Sequence, residues 1–313
     1  MKTMKWLLKR EMWENKGMLL WTPVVIAGAV VALVLSSLIF GNLQRIQMYG
    51  QPISVTIEGA ARVKLAQTMA ELYITAGMPV LVILGLLVFF YCLGALHDER
   101  RDRSLLFWKS LPISDATTVL SKLLTALVVA PLITLAIAVA VGLLMLLAVC
   151  LFLLAHGTNL FGVLLTTPQL YLTPLRLVGV LPVYILWALP TVGWLLMVSS
   201  LARSKVFLWA VGTPLITTLL LVWAQKMLQL DFNALWFASH ITSRLLLSVV
   251  PGSWIAVERP VIHLDGDSGV SVTQLMFESS WSSLGNPNVW IGAAAGAAMI
   301  AVAIYTRRRR EEA

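Results

Sequence analysis

The sequence predicts an all-α polytopic membrane protein with six transmembrane helices. Of its 313 residues, 59% are hydrophobic and only 12% are charged, which is about half the charged share of an ordinary soluble domain. Mean hydropathy is +0.85, and the apolar residues are gathered into six long runs. The share of charged residues is too low to cover the surface of a soluble protein of this size. The share of hydrophobic residues is too high for a disordered chain.

Each apolar run is close to the length of about 20 helical residues that crosses a ~30 Å hydrocarbon core. None of them contains Asp, Glu, Lys, Arg or His. The third is the longest, so it must tilt or project beyond the membrane, and we expect Pro131 to kink it. The predicted spans are 18–40, 74–96, 123–154, 177–201, 206–224 and 289–306.

The distribution of Lys and Arg predicts the orientation. If the N-terminus is cytoplasmic, the inner segments hold 16 of the 23 basic residues and the outer segments hold 7. Basic residues accumulate in cytoplasmic loops, so both termini are predicted to lie in the cytoplasm. The inner segments are then 1–17, 97–122, 202–205 and 307–313.

Residues 1–17 are predicted to form a cytoplasmic interfacial (elbow) helix ahead of a single transmembrane domain, 18–313. An apolar stripe with helical spacing supports this prediction, while Trp6 and Trp13 lie on another line of the helix. The stripe consists of Met4, Leu7, Leu8 and Met12.

The outer loop 225–288 is predicted to contain re-entrant or interfacial helices before the last span. A seventh span near 234–257 is disfavoured, because that stretch contains His240 and Arg244 and is interrupted by Pro251 and Gly252. The sequence leaves open whether this stretch is re-entrant or interfacial.

The loop 97–122 begins with charged residues, continues into four large apolar side chains and breaks at Pro112. The apolar side chains are Leu105, Leu106, Phe107 and Trp108. Such a cluster in a cytoplasmic loop needs a partner. Docking into a cytosolic protein and lying on the membrane surface are both compatible with the pattern.

This loop resembles the first intracellular loop of type-2 ABC transporter permeases. In that family an acidic residue after the second span precedes a short coupling helix, a Leu-Pro-x-Ser-type turn and a lysine that enters the third span. The matching positions are Glu99, the stretch 104–110, the turn 111–114 and Lys122. The six spans, the N-terminal helix and the late outer excursion are similar to the family in arrangement.

The resemblance implies the membrane subunit of a bacterial ABC exporter in the cytoplasmic (inner) membrane. Such a subunit pairs with a second copy or a similar permease and moves a hydrophobic or amphipathic drug, lipid or peptide. A separate cytosolic ABC ATPase would hold ATP and Mg. The residues implied in coupling to it are Glu99, Arg103, Leu105, Leu106, Phe107, Trp108, Lys109, Arg203 and Lys205.

The sequence itself contains no G-x-x-x-x-G-K-[ST] phosphate loop, so we expect this chain to bind no ATP or other cofactor and to catalyse no reaction. One alternative function is a permease-like sensor or scaffold without cargo of its own. Another is a secondary transporter, which is disfavoured because carriers usually keep ionisable residues within their spans.

Three further features have competing interpretations. Thr213, Thr217 and Thr218 either line a cargo path or bond their own helix backbone. Gly292 and Gly296 form a G-x-x-x-G pattern that permits close helix packing, within the subunit or between subunits. The tail Arg307–Arg310 is typical of an anchor on anionic membrane lipid rather than of a nucleic-acid contact.

No metal site is expected. Cys92 and Cys150 lie in apolar runs as buried hydrophobes. The stretch 263–267 combines a histidine with two aspartates, but a glycine-containing polar turn is the simpler interpretation.

Overall fold

The computed structural model describes residues 2–49, 59–101, 114–229, 233–258 and 272–309. Within these ranges every regular element is a helix, and six helices are long and apolar enough to cross a membrane. The all-helical fold is therefore confirmed for the described residues, and each of the six predicted spans falls on one of these helices. Spans 1 to 6 are Gly17–Ser37, Ala61–Arg101, Asp115–Ala155, Gln169–Leu201, Val206–Leu228 and Pro287–Arg309.

The N-terminal helix α1, Lys2–Glu14, packs against the start of span 3. Leu7 and Glu11 lie on its buried face, whereas Met12 is 36% exposed. The predicted stripe was wrong at Met12, because Glu11 lies one turn after Leu7 and takes the buried place. Trp6 and Trp13 are exposed on the other side of the helix.

A π-helical turn, Gly17–Trp21, leads from α1 into α2, Thr22–Tyr49. The helix of span 1 therefore continues beyond the predicted end at residue 40. The residues after 40 include leucine, glutamine, arginine and methionine, which favour helix, although their polarity ends the hydropathy signal.

Span 2 is built from four consecutive helical pieces and is much longer than the predicted 74–96. Residues 60–72 are polar enough to escape a hydropathy search but are rich in helix formers. The pieces are α3 (Ala60–Leu72), a 3₁₀ turn (Tyr73–Gly77), α4 (Met78–Ala95) and α5 (His97–Arg101).

Span 3 begins at α6, Asp115–Leu124, where the Ser114 Oγ accepts a hydrogen bond from the Thr117 N–H at 3.2 Å. A π-helical turn, Thr125–Val129, then leads into α7, Ala130–Ala155. The turn lies immediately before Pro131, where we expected a kink. A π-helical turn is a common way for a helix to absorb a local misfit of this kind.

The remaining spans follow after a short helix, α8 (Phe161–Leu165). Span 4 consists of α9 (Gln169–Gly179) and α10 (Leu181–Leu201), and span 5 is α11 (Val206–Leu228). Span 4 is the most buried, at 56% of its apolar window, whereas spans 1 and 5 are buried over only 17%. The core is thus centred on span 4, and spans 1 and 5 are peripheral.

Residues 234–258, which we name the hairpin, form two helical legs joined by a turn. The first leg consists of α12 (Ala234–Phe237), a π-helical turn (Ala238–Thr242) and α13 (Ser243–Leu247). The second leg is α14 (Ser253–Glu258). The first leg has about two-thirds of the length that a membrane crossing needs.

The hairpin lies along span 4. The Thr191 hydroxyl donates to the Arg244 carbonyl at 2.6 Å, and the Tyr184 hydroxyl donates to the Val249 carbonyl at 3.1 Å. Because Thr191 is midway along α10, the hairpin reaches beside the middle of that helix rather than resting at its end.

Two helices complete the fold. Helix α15, Val272–Ser282, packs beside the hairpin, where the Trp254 indole donates to the Ser280 hydroxyl at 2.9 Å. A 3₁₀ turn, Ser283–Gly285, leads to α16, Pro287–Arg309, which is span 6. Gly193 and Gly296 let span 4 and span 6 approach closely, since a side chain at either position would meet the facing backbone.

Candidate functional site

Five buried or half-buried charged side chains meet at the end of the bundle where α1 packs. They come from α1, α5, α6 and span 6, and are Glu11, Glu99, Asp115, Lys122 and Arg307. We name this group the ion cluster. It joins positions as far apart in the chain as 11 and 307.

Lys122 is the centre of the ion cluster, with its side chain 4% exposed. Its Nζ lies 2.9 Å from the Glu11 Oε1 and 2.9 Å from the Glu99 Oε1. The other Glu11 oxygen accepts a hydrogen bond from the Tyr91 hydroxyl at 2.8 Å. A buried carboxylate needs such partners, because removing one from a buried pair typically costs 3–5 kcal/mol.

Arg307 extends the cluster to the second carboxylate oxygen of Glu99. Its Nη1 donates to the Glu99 Oε2 at 3.0 Å, and its Nε donates to the Asp115 Oδ1 at 3.2 Å. Arg10 approaches Glu99 more loosely, at 3.9 Å. The three carboxylates of the cluster therefore share Lys122 and Arg307, while Arg10 pairs mainly with Glu14, at 2.6 Å.

A second set of contacts ties the same end of span 2 to span 4. The Ser199 hydroxyl oxygen accepts hydrogen bonds from the Leu96 and His97 N–H groups at 3.2 and 3.0 Å. Arg100 donates to the carbonyls of Ser199 and Ala202. A cation at a helix C-terminus satisfies carbonyls that lack a partner in the helix.

The ion cluster brackets the segment 102–113. Glu99 precedes this segment and Asp115 follows it, and Arg307 bonds to both. The described residues on either side of the segment are consequently held by one side chain of span 6. The charged groups of the cluster bind one another, so the arrangement is suited to holding α1, α5, α6 and span 6 in fixed positions.

The structure describes only part of the predicted coupling set. It brings Glu99 together with Lys122, the two charged positions on which the family resemblance depends. Arg203 and Lys205 are exposed between spans 4 and 5, and neither is a partner in the described ion pairs of the cluster. Arg103, Leu105, Leu106, Phe107, Trp108 and Lys109 lie outside the described residues.

The predicted threonines lie on span 5, where Thr213 and Thr217 are exposed. The Thr217 hydroxyl donates to the Thr213 carbonyl at 2.8 Å, and the Thr218 hydroxyl donates to the Pro214 carbonyl at 2.8 Å. Thr218 also lies 2.6 Å from the Thr242 hydroxyl of the hairpin. Thr217 and Thr218 therefore bond to the backbone of their own helix, which is the alternative to lining a cargo path.

The two glycines of span 6 face different neighbours within the subunit. A Cβ on Gly296 would meet the Leu189 carbonyl of span 4, and one on Gly292 would meet the Arg244 guanidinium. Both glycines therefore make room for packing inside this chain.

Sequence reasoning missed Glu11 and Tyr91 and misplaced Arg307. Arg307 was interpreted with the basic tail as a lipid anchor, but it pairs with two carboxylates; only Arg308 and Arg309 of the described tail are exposed. A signal was present, since Arg307 continues the face of span 6 on which Ile300 and Ala303 are buried. Asp115 binds Arg307, while the preceding residue, Ser114, caps the helix.

No group of three or more His, Cys, Asp or Glu side chains within the described ranges is placed to hold a metal ion.

The fold and the ion cluster define a six-span helical membrane protein. No protein-family model matches the chain. Comparisons with curated proteins and with solved structures also find no match. The functional argument therefore depends on the residues of this chain.

Proposed function

We propose that the chain is the membrane permease subunit of an ATP-driven ABC exporter, and that residues 97–122 engage a separate cytosolic ATPase subunit. The ion cluster is the observation that supports this proposal most strongly. A movement of the segment 102–113 would pull on Glu99 and Asp115, and through Lys122 and Arg307 it would reach α1, span 3 and span 6. A docking segment anchored in this way is mechanically connected to the bundle.

The proposed location is the cytoplasmic membrane of a bacterium, with both termini and the ion cluster on the cytoplasmic side. The 16-to-7 division of Lys and Arg supports this orientation. The exposed face of α1 supports its position at the membrane surface, since Lys9 lies 5.4 Å from the Trp6 ring and 6.0 Å from the Trp13 ring. Tryptophan and lysine together favour the boundary between lipid headgroups and water.

The proposed assembly contains two permeases and moves a hydrophobic or amphipathic cargo. Spans 1 and 5, which are the least buried, present apolar faces such as Leu33 on span 1 and Leu219 on span 5. These faces suit contact with lipid and with a second copy or a similar permease. In this orientation the hairpin is a re-entrant element that enters from the outer side.

The test is retention of the ATPase subunit when the complex is purified in gentle detergent. The double variant Phe107→Ala/Trp108→Ala should weaken that association by about 1–3 kcal/mol, as aromatic anchors at interfaces do. A matched control is Phe40→Ala/Trp223→Ala, which removes the same side chains from exposed positions far from the predicted coupling residues and should retain the ATPase. Both variants must run as monodisperse complexes. Full retention by the first variant would overturn the proposal.

A further inference from the structure

A cavity of about 230 Å³ lies between spans 2, 3 and 4, the turn of the hairpin and α15. Its described walls are largely apolar and include Leu84 of span 2, Leu135 of span 3, Leu181 of span 4 and Phe277 of α15. An engineered apolar cavity of ~150 Å³ in another protein stays dry and takes up benzene. The cavity between these spans therefore has room for a segment of hydrocarbon chain.

The polar atoms of two aromatic wall residues are already bonded within the protein. The Tyr184 hydroxyl donates to the Val249 carbonyl at 3.1 Å, and the Trp254 indole donates to the Ser280 hydroxyl at 2.9 Å. Because these donors are occupied, the two rings contribute apolar surface to the cavity. An ordered water needs about two to four polar partners, so walls of this kind favour an apolar occupant over water.

Arg176 is the one charged side chain among the described walls. Its Nη2 donates to the Gln274 Oε1 at 3.2 Å, and the Gln274 amide donates to the Glu278 Oε1 at 2.9 Å. Arg176 thus ties α9 to α15. The class of ligand follows from the apolar walls rather than from this charge.

The cavity lies within the depth of a hydrocarbon core. The hydrogen bonds of Ser199 place the ends of spans 2 and 4 side by side, near the ion cluster. Among the wall residues, Val82 lies 13 residues before the end of α4, and Tyr184 lies 17 residues before the end of α10. These separations correspond to ~20 and ~25 Å of helix. A core of ~30 Å that begins at this end of the bundle therefore contains the cavity in its farther half.

Part of the cavity wall is exposed on the side of the bundle. Val82 of span 2 lines the cavity and is 61% exposed, and Met276 of α15 lines it and is 39% exposed. Leu86, one turn further along span 2, is also exposed. An exposed apolar face at this depth meets lipid chains, so the cavity opens toward the hydrocarbon of the membrane.

We propose that the cavity binds one acyl chain of a membrane phospholipid, which enters beside Val82 and reaches the turn of the hairpin. A void in a packed interior leaves its lining without dispersion partners, and a hydrocarbon chain restores these contacts. Phospholipid is the source of the chain, because its chains surround the opening. In the orientation proposed above this is a lipid of the outer leaflet; the choice of leaflet rests on that proposal, whereas the binding does not.

The test is photolabelling of the full-length protein in nanodiscs of phosphatidylethanolamine and phosphatidylglycerol. A fraction of the phosphatidylethanolamine carries a diazirine in the middle of one acyl chain, and mass spectrometry locates its adducts residue by residue. Leu84 and Trp254 line the cavity but are only 2% and 4% exposed, so a chain on the surface of the bundle does not reach them.

Leu84 and Trp254 should both carry adducts. Leu195 is the control, because it is fully buried and lies outside the cavity, and it should carry none. Adducts confined to exposed residues such as Leu33 and Leu219 would overturn the proposal, as would equal labelling of Leu195 and Leu84.

A matched pair of variants tests the opening. Val82→Phe narrows it and should remove most of the labelling of Leu84 and Trp254. Val25→Phe makes the same change at a similarly exposed position of span 1 and should leave the labelling at the wild-type level. Full labelling of Trp254 in a monodisperse Val82→Phe protein would overturn the proposed entry, and the adducts on the wild-type protein decide if that variant does not fold.

The same photoreactive chain supplied as a free fatty acid distinguishes the source of the ligand. Labelling of Leu84 and Trp254 by the phospholipid supports the assignment, whereas labelling by the free acid alone would overturn it. The nanodiscs contain no ATPase, so this result is separable from that of the proposed function. Labelled cavity residues in a protein that retains no ATPase would keep the site and remove the exporter.

Discussion

The ion cluster and the hairpin both hold basic side chains inside the bundle, but they hold them in different ways. In the ion cluster, Lys122 lies between two carboxylates and Arg307 between Glu99 and Asp115. In the hairpin, the described contacts of Arg244 include the face of Trp187, the carbonyl of Asn288 and the space left by Gly292.

This difference indicates different roles. A cation that already faces carboxylates at 2.9–3.2 Å fixes the helices that carry them, and its loss leaves buried charge behind. The Arg244 guanidinium instead lies over the face of an aromatic ring, which attracts the cation. The first arrangement suits transmission of movement, and the second joins the hairpin to spans 4 and 6.

The largest effect is expected from Lys122→Ala. This change leaves Glu11 and Glu99 buried without their shared cation, and we expect a loss of about 3–5 kcal/mol of stability. Thermal unfolding in detergent measures it. Lys226→Ala, at an exposed position in the last turn of span 5, should unfold with the wild-type protein. If both variants unfold at the wild-type temperature, Lys122 is not the buried partner of Glu11 and Glu99.

The seam between spans 4 and 6 connects the two regions, and Gly296→Val tests it. A side chain at 296 would meet backbone atoms of Leu189 and Pro190 at 2.6–2.9 Å, so we expect a loss of about 2–3 kcal/mol from overpacking. Gly28→Val is the control, because nothing lies within 4 Å of a Cβ there. Equal unfolding temperatures for the two variants would contradict the close approach.

Much of the fold could be predicted because hydropathy is a local property. The six spans follow from runs of neighbouring residues, but their ends do not, since residues 60–72 and 115–122 are helical without being apolar throughout. The ion cluster could not be predicted, because Lys122 and Glu11 are 111 positions apart and only the packing of α1 on span 3 brings them together. In the sequence, Arg244 argues against a seventh span. Its contact with Trp187 could not be predicted, because that contact also joins residues far apart in the chain.

A smaller effect is expected from Tyr91→Phe, which removes only the hydroxyl that donates to Glu11. The loss should be about 1.5 kcal/mol, the lower end for a hydrogen bond to a charged group. A double-mutant cycle with Glu11→Gln, followed by thermal unfolding, measures the coupling between the two residues. Additive losses would show that the hydroxyl stabilises the protein by another route.

The smallest effect is expected from Thr213→Val/Thr217→Val. The Thr217 hydroxyl bonds to its own helix, and surface changes of this kind are usually within about 0.5 kcal/mol. Complex assembly and unfolding temperature should therefore match the wild-type protein. Normal assembly combined with changed transport would instead place these hydroxyls on the cargo path.

We propose that residues 97–122, which include Glu99, Asp115 and Lys122 of the ion cluster, face the cytosol and engage a separate ATPase there. Labelling with a membrane-impermeant thiol reagent tests it directly, since the native Cys92 and Cys150 are buried. Ser268→Cys in the outer loop should react in intact spheroplasts, and Ser104→Cys should react only after the membrane is opened. Labelling of Ser104→Cys in intact spheroplasts would contradict the orientation and the coupling role that depends on it.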